Sequence, residues 1–406
     1  MFSLTDAEIA DLTRQITRRP RSLFERDVVA NQELLEHEIR DKSVLVIGGA
    51  GTIGSSYIKQ VLRYRPRRLL VVDTNENGLA ELVRDLRSSN LTVPDDFTTY
   101  PMDLGHPLTI RMIREEGPFE IVANFAALKH VRSEKNYLTT AYLVDNNVTK
   151  AEVLLSALLD APPRHFFCVS TDKAANPVNV MGATKRLMED LAFGISDEIK
   201  SSTARFANVA FSNGSLLDAF LYRLRKGQPF SMPGDVRRYL VSWEEAGQLC
   251  LLASITGNSR EVFTPKLDPA TDQHLFTDVA KQLLDRVGYE FDECSSEQEA
   301  RDKVETMHET RKYPCHVFPT DTTGEKAEEV FSAADEAVDD DRFEGIRVVM
   351  SNRQYATLDE VRNVIREFDE LCDKDSCTKS DVVAVLSKYL PTFQHQEKNK
   401  NLDSRM

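Results

Sequence analysis

The chain has 406 residues, of which 41% are hydrophobic and 29% charged. These proportions belong to soluble globular proteins and exclude wholesale disorder; at ~100–200 residues per domain, the length allows two or three domains or one large domain with appendages. Fifty-one Lys and Arg against 65 Asp and Glu leave a formal charge of −14, a balance that disfavours a nucleic-acid backbone or an anionic membrane face as partner.

No run approaches the ~18 consecutive apolar residues of a membrane span. The first ten residues carry Asp6 and Glu8 and lack the apolar core of a secretory peptide. Six scattered cysteines, at 168, 250, 294, 315, 372 and 377, match neither a disulfide framework nor a zinc pattern. No metal is expected, and the implied setting is reducing and cytoplasmic.

In chain order, Thr5 followed by Glu8 reads as a capping box for a helix with Ile9, Leu12 and Ile16 on one face. Arg18-Arg19-Pro20-Arg21 breaks it, and a second amphipathic stretch spans Val28 to Ile39. This segment is expected to pack outside the main domain. From Lys42, short apolar runs (Val44–Ile47, Leu69–Val72, Ile121–Ala123, Phe166–Val169) alternate with helical patterns such as Asn77 to Arg87 and Thr139 to Leu159. Buried strands alternating with helices predict βαβ units and a parallel sheet covered on both faces. Phe211 to Leu240, with its scattered Gly, Pro and Arg, reads as a loop-rich second lobe. Glu293–Lys312 reads as charged helix, and Asp335–Arg342 as a solvated acidic loop. Two final helices are expected over Thr357–Leu371 and Thr378–Leu390, then a polar, disordered tail from Gln394. The fold class is therefore α/β: a Rossmann-type doubly wound parallel sheet (42–210), a smaller lobe mainly within 211–350, and helical extensions at 1–41 and 351–406. The terminal helices offer apolar faces for homo-oligomer contacts.

The first strand runs into Gly48-Gly49-Ala50-Gly51-Thr52-Ile53-Gly54, with a helical pattern after it. Glycines there permit a tight turn and close approach of backbone to a pyrophosphate, and the helix start offers free N–H groups to the phosphates. Nineteen residues past Gly54, the second strand ends at Asp73. A carboxylate in that place can accept both ribose hydroxyls and repel a 2′-phosphate, favouring NAD over NADP; it can also simply close a turn. Asp103 has the same two readings, adenine contact or turn.

The fifth strand ends in Ser170-Thr171-Asp172-Lys173, followed by Ala174-Ala175-Asn176-Pro177 and then Met181-Gly182-Ala183-Thr184-Lys185. Ligands bind at the carboxyl ends of strands in open α/β sheets, and an adjacent acid and base suit proton transfer. A capping Asp and a solvated Lys would be the plain alternative. Cys372 to Asp381 tempts a calcium-loop reading, but Thr378 and Ala384 stand where Gly and Glu are needed.

The Ser-Thr-Asp-Lys-Ala-Ala-Asn-Pro and Met-Gly-Ala-Thr-Lys blocks resemble the extended short-chain dehydrogenase/reductases that act as UDP-N-acetylglucosamine 4,6-dehydratases in polysaccharide biosynthesis. The glycine loop, Asp73–Leu79, Ala126–Val131, Arg205–Val209 and Gly324-Glu325-Lys326 agree with it, over about 42–331. Met181 stands in the place of the superfamily's catalytic Tyr, resembling the branch that carries Met; a thioether takes no proton. The resemblance implies NAD, a UDP-sugar substrate, oxidation at C4, loss of water across C5 and C6, and return of hydride to C6. It assigns Lys173 as C5 base, its pKa lowered by burial and neighbouring Lys185, and Asp172 as acid for the C6 hydroxyl. Thr171 then bonds O4 and Lys185 the nicotinamide ribose. Lys129, Asn208, Ser212 and Arg238 are substrate candidates; His130 and Arg237 have ordinary structural or surface readings beside functional ones. Ala207 and Asn213 depart from the family pattern. An epimerase or dehydrogenase, and an inactive NAD-binding interaction module, remain the competing functions.

Overall fold

The computed structural model describes residues 4–320, 329–351, 356–373, 376–396 and 406. Helices α1 (Asp6–Thr17), α2 (Glu25–Ala30) and α3 (Gln32–Ile39) lead into β1 (Ser43–Ile47), α4 (Thr52–Leu62), β2 (Arg68–Asp73), α5 (Glu76–Ser88), β3 (Asp96–Pro101), α6 (Pro107–Glu116) and β4 (Ile121–Asn124). Next come α7 (Tyr137–Val144), a π turn at Asp145–Thr149, α8 (Lys150–Leu159), β5 (His165–Thr171), α9 (Val180–Gly194), β6 (Ser201–Phe206) and β7 (Asn208–Val209). The middle of the chain supplies α10 (Leu216–Lys226), β8 (Phe230–Pro233), β9 (Arg237–Val241), α11 (Trp243–Thr256), β10 (Glu261–Pro265), β11 (Gln273–Leu275), α12 (Phe276–Arg286), β12 (Glu290–Cys294), α13 (Glu297–Asp302), α14 (Met307–Thr310) and β13 (Lys312–Phe318). It closes with β14 (Glu336–Asp339), β15 (Ile346–Ser351), α15 (Leu358–Cys372) and α16 (Lys379–Tyr389).

Nine strands form one sheet in the order β14-β15-β10-β6-β5-β4-β1-β2-β3. The run from β3 to β10 is parallel, and β14 and β15 add an antiparallel edge. This is the Rossmann-type α/β sheet expected from the alternating pattern. Along β1, Leu45 and Ile47 enter one core while Val44 and Val46 enter the other. Burial on both faces is why the strands read as unbroken apolar runs. The strand order reverses between β1 and β4, which opens a crevice at their carboxyl ends. Two three-stranded sheets, β11-β9-β7 and β12-β13-β8, build the smaller lobe around a third core.

Several expectations need correction. The 211–350 segment returns β10, β14 and β15 to the large sheet. Within its loop-rich stretch lies the regular helix α10, capped by Ser215 and ended by Gly227 in the left-handed region. Part of the acidic run is not loop: Glu336–Asp339 is the edge strand β14, with the Glu336 side chain buried, while Asp340–Arg342 is exposed loop as expected. The amphipathic stretch Val28–Ile39 is broken at Asn31 between α2 and α3, and the π turn interrupts Thr139–Leu159.

The amino-terminal segment does not lie outside. Its Ile9, Leu12 and Ile16 join the lobe's core, while Leu35 and Ile39 join a core of the large sheet. Between them Arg19 pairs with Glu245 at 2.8 Å and Asp272 at 3.2 Å, so one half-buried guanidinium fastens the segment to α11. The apolar faces of α15 and α16 (Val361, Val364, Phe368, Val382, Leu386) are likewise covered within the chain, in the core shared with α7 and α9. That removes the reason for assigning them to subunit contacts. Of the tail expected to be disordered, 394–396 is held in place, the Gln394 N–H donating to Pro177 O at 3.2 Å and the Gln396 N–H to Val178 O at 3.0 Å; 397–405 lie outside the described residues.

Candidate active site

The glycine loop occupies the crevice where the strand order reverses. Gly48 has φ +75°, and a Cβ there would sit 2.6 Å from Ala126 N in the loop after β4. Only glycine fits both constraints. Helix α4 starts at Thr52 with no side-chain cap on its first turn, leaving its amide groups for an anionic ligand. Asp73, at the end of β2, accepts from Ala50 N–H and Asn75 N–H, both at 2.9 Å. It braces the loop from the place where an adenosine ribose would lie. The residues present therefore fit a dinucleotide. Asp103 serves its turn, accepting from Gly105 N–H at 2.8 Å, and pairs with Lys150 at 2.7 Å.

The acid–base cluster stands on the carboxyl end of β5. Thr171 Oγ1 donates to Asp172 Oδ1 at 2.8 Å, and Lys173 Nζ donates to the same oxygen at 3.1 Å. Asp172 is buried, whereas a quarter of the Lys173 side chain is exposed. Helix α9 begins against this turn, capped by Asn179, whose Oδ1 accepts the Gly182 N–H at 2.7 Å. A Cβ on Gly182 would lie 2.6 Å from the Lys173 carbonyl oxygen, so a bare glycine lets α9 approach the turn after β5.

One turn into α9, Lys185 is buried and donates to Val169 O at 2.9 Å. Burial is the main cause that lowers its pKa to about 8, partly offset by Cys168 and Glu189. Its amine is directed at the strand backbone, while Lys173 is held by Asp172, so each lysine has its own contact. Met181 is 3% exposed, packed in the core, and its N–H donates to Glu134 Oε1 at 2.9 Å.

The remaining candidates fall into two groups. Lys129 Nζ donates to Asn213 O at 2.8 Å, and Asn213 N–H donates to Thr52 Oγ1 at 2.9 Å. This chain brings the loop after β4, the lobe and the glycine loop together. His130 borders the same place, 3.0 Å from a Cβ built on Gly214. Ser212 and Arg238 are buried, Asn208 is half-buried, and Arg237 is exposed. Gly324, Glu325 and Lys326 lie outside the described residues.

Sequence reading missed three residues. Asn147, on the π turn, accepts from Leu128 N–H at 2.8 Å and donates to Leu128 O and Thr184 Oγ1, tying the loop after β4 to α9. Such bulges recur at functional sites, but an uninterrupted apolar pattern conceals this one. Glu134 receives Met181 N–H, while its carbonyl accepts Lys379 Nζ at 2.9 Å. Glu329 is 7% exposed, accepting Asn208 Nδ2 at 2.6 Å and Tyr239 N–H at 2.8 Å. Its nearness to the Gly324–Lys326 block was the available signal. Burial, and next the charge of Asp172, raise its pKa to about 7 against the opposing pull of Lys173 and Arg238.

A strand at the edge completes the support. Arg205, fully buried on β6, uses all five guanidinium N–H groups on Glu189, Glu336 and Phe331 O at 2.6–2.9 Å. Glu189 also accepts Ser170 Oγ at 2.6 Å, so this ion network reaches the residue before Thr171.

The model of the family described as "Polysaccharide biosynthesis protein" matches residues 44–350. The chain belongs to this polysaccharide biosynthesis protein family. Among its relatives is an uncharacterized membrane protein of Methanocaldococcus jannaschii, 28% identical over 82% of this chain and 97% of that protein. The capsular polysaccharide biosynthesis protein CapD of Staphylococcus aureus is 29% identical over 66% of this chain, which spans 44% of CapD's length. A UDP-N-acetylglucosamine 4,6-dehydratase (inverting) of Campylobacter jejuni is 26% identical, covering 61% of this chain and 73% of its own. In fold the chain resembles Pen from Bacillus thuringiensis, with TM-score 0.63, 20% identity, and 82% and 98% of the two chains covered. Among the described residues no helix is long and apolar enough to cross a membrane.

Proposed function

We propose that the protein is an NAD-dependent nucleotide-sugar 4,6-dehydratase acting on UDP-N-acetylglucosamine. The observation that carries this reading is the hydrogen-bonded Thr171–Asp172–Lys173 cluster at the end of β5, beside a glycine loop shaped for a dinucleotide and a buried Met181 unable to take a proton. An ordinary epimerase or alcohol dehydrogenase needs a hydroxyl base at the Met181 position; an elimination needs an acid and a base side by side. The amides of 51–54 and Asp73 would hold NAD⁺, which would supply reversible hydride acceptance.

The chain's own residues do the rest. Thr171 orients the sugar at O4. Lys185, its pKa about 8 through burial, sits close enough to its neutral form near physiological pH to relay a proton, and it bonds the nicotinamide ribose. Asp172 protonates the departing C6 hydroxyl and Lys173 takes the C5 proton once the C4 ketone has acidified it. Lys129, Asn208, Ser212 and Arg238 line the sugar and diphosphate side, where Arg238 neutralises phosphate charge within an acidic protein.

In D₂O, Lys173→Ala is expected to retain NAD⁺ and nucleotide-sugar binding but lose deuterium exchange at C5. Asp172→Asn is expected to retain some exchange while losing elimination, each by about 10²- to 10⁴-fold. Exchange at the wild-type rate in Lys173→Ala, or normal dehydration by Asp172→Asn, removes that residue from its role.

A further inference from the structure

Residues 393–396 lie beyond the 44–350 stretch that the family model matches, and the fold returns them to the loop between Lys173 and α9. The Gln394 and Gln396 N–H groups donate to the carbonyls of Pro177 and Val178, at 3.2 and 3.0 Å. Phe393 anchors the segment, 5% exposed in the core shared with α7 and α9. Between the two glutamines, His395 faces Glu134: its Nε2 stands 3.8 Å from Glu134 Oε2, the two side chains being 12% and 2% exposed.

Glu134 is where three elements meet. Its Oε1 accepts the Met181 N–H at 2.9 Å, one of the first-turn amides that a helix leaves without an intrahelical partner. Asn179 takes the neighbouring Gly182 N–H. A carboxylate in that place also suits the positive end of the helix dipole. The Glu134 carbonyl accepts Lys379 Nζ, from the first turn of α16, at 2.9 Å. Glu134 Oε2 and His395 Nε2 are both buried, and neither has a hydrogen-bond partner among the described residues. A buried polar atom left unpaired is costly, and these two face each other. An approach of about 1 Å makes a hydrogen bond from imidazole to carboxylate.

We propose that the segment 393–396 is a strap over the loop between Lys173 and α9, and that Glu134 and His395 are the positioning pair that latches it. His395 holds Glu134, Glu134 holds the first turn of α9 at Met181, and Lys185 follows one turn on, its amine on Val169 O at 2.9 Å. The backbone bonds of the strap fix Pro177 and Val178 from the other side. One segment therefore sets how Lys173 and Lys185 stand relative to each other. Both members of the pair act through the loop and α9. The effect on turnover rests on the dehydratase reading above; the latch itself does not.

The test compares the full-length wild type with His395→Ala, His395→Gln, Glu134→Ala and the double variant of the two alanine changes. In hydrogen exchange read by mass spectrometry, His395→Ala is expected to speed exchange in peptides covering 174–185 and to leave those covering 43–62 unchanged. In turnover of UDP-N-acetylglucosamine, His395→Ala is expected to keep NAD⁺ affinity and KM while kcat falls about 10- to 10²-fold, since a misplacement of about 1 Å can cost that much. His395→Gln, whose amide can take the place of Nε2, is expected to recover part of the rate. Glu134→Ala is expected to be slower than His395→Ala, because it also frees the Met181 N–H, and adding His395→Ala to it is expected to slow it no further. Exchange over 174–185 at the wild-type rate in His395→Ala overturns the proposal. So does a His395→Ala enzyme with the wild-type kcat, or a double variant in which the two losses simply multiply. If the wild type removes no water from UDP-N-acetylglucosamine, the dehydratase reading fails, and the exchange measurement alone decides whether the latch holds the loop.

Discussion

Replacing Glu336 by Gln probes how the edge strand supports β5. Burial alone would raise the Glu336 pKa, but the hydrogen bonds and charge of Arg205, with Arg186, overcome it and hold the carboxyl down at about 2. Against an ordinary value of 4.5, that difference is worth about 3 kcal/mol of folding stability at pH 7. Removing one member of a buried ion pair independently costs about 3–5 kcal/mol. The sign follows from the depressed folded-state value: the contribution is complete above the unfolded pKa and is lost as pH falls toward 2. Glu336→Gln is therefore expected to be about 3 kcal/mol less stable than wild type at pH 7, the deficit shrinking to about 2 kcal/mol at pH 3.5. Urea melts of both proteins at the two pH values measure it. Equal stability at pH 7, or a deficit that does not shrink on acidification, would refute the reasoning.

Met181→Leu is expected to keep most of the activity, because near-isosteric apolar swaps cost under about 1.5 kcal/mol; a collapse of kcat with folding and NAD⁺ binding intact would reveal a role for the thioether. NAD⁺ is expected to bind more tightly than NADP⁺ in calorimetric titration, with Asp73→Ser narrowing the gap; the reverse order would contradict the Asp73 argument. Phe393→Ala, which empties a site 5% exposed beside the segment bonded to Pro177 and Val178, is expected to cost about 3 kcal/mol. It should also lower kcat with NAD⁺ affinity retained, and an unchanged melting temperature would show that this segment does not brace the catalytic loop.

The sheet was legible because its central strands are buried on both faces, so Val44–Ile47 and Phe166–Val169 stand out without alternation. The helix start at Thr5 was legible through local capping, which acts over three residues, and the structure shows the same capping boxes at Thr357 and Thr378. What escaped depends on distant partners. Glu336–Asp339 reads as a solvated acidic loop until Arg205 and Arg186 arrive from other elements to neutralise Glu336. Helix α10 was hidden by the Gly, Pro and Arg around it, although Ser215 before Asp218 is a capping signal. In the site, the glycine loop and Thr171–Lys173 are contiguous, so both were visible in the sequence, the loop through its spacing and the cluster through its strand-end place and the family resemblance. Glu329 joins Asn208 across 121 residues, and Asn147 joins Thr184 across 37, so only the fold shows them.

The central claim is elimination of water from a nucleotide sugar without net oxidation. Purified protein incubated with NAD⁺ and UDP-N-acetylglucosamine, followed by mass spectrometry of the sugar nucleotide, tests it most directly. The account predicts a product lighter by one water, with no NADH accumulating. An isomer of unchanged mass, an oxidised sugar with stoichiometric NADH, or an untouched substrate would contradict it.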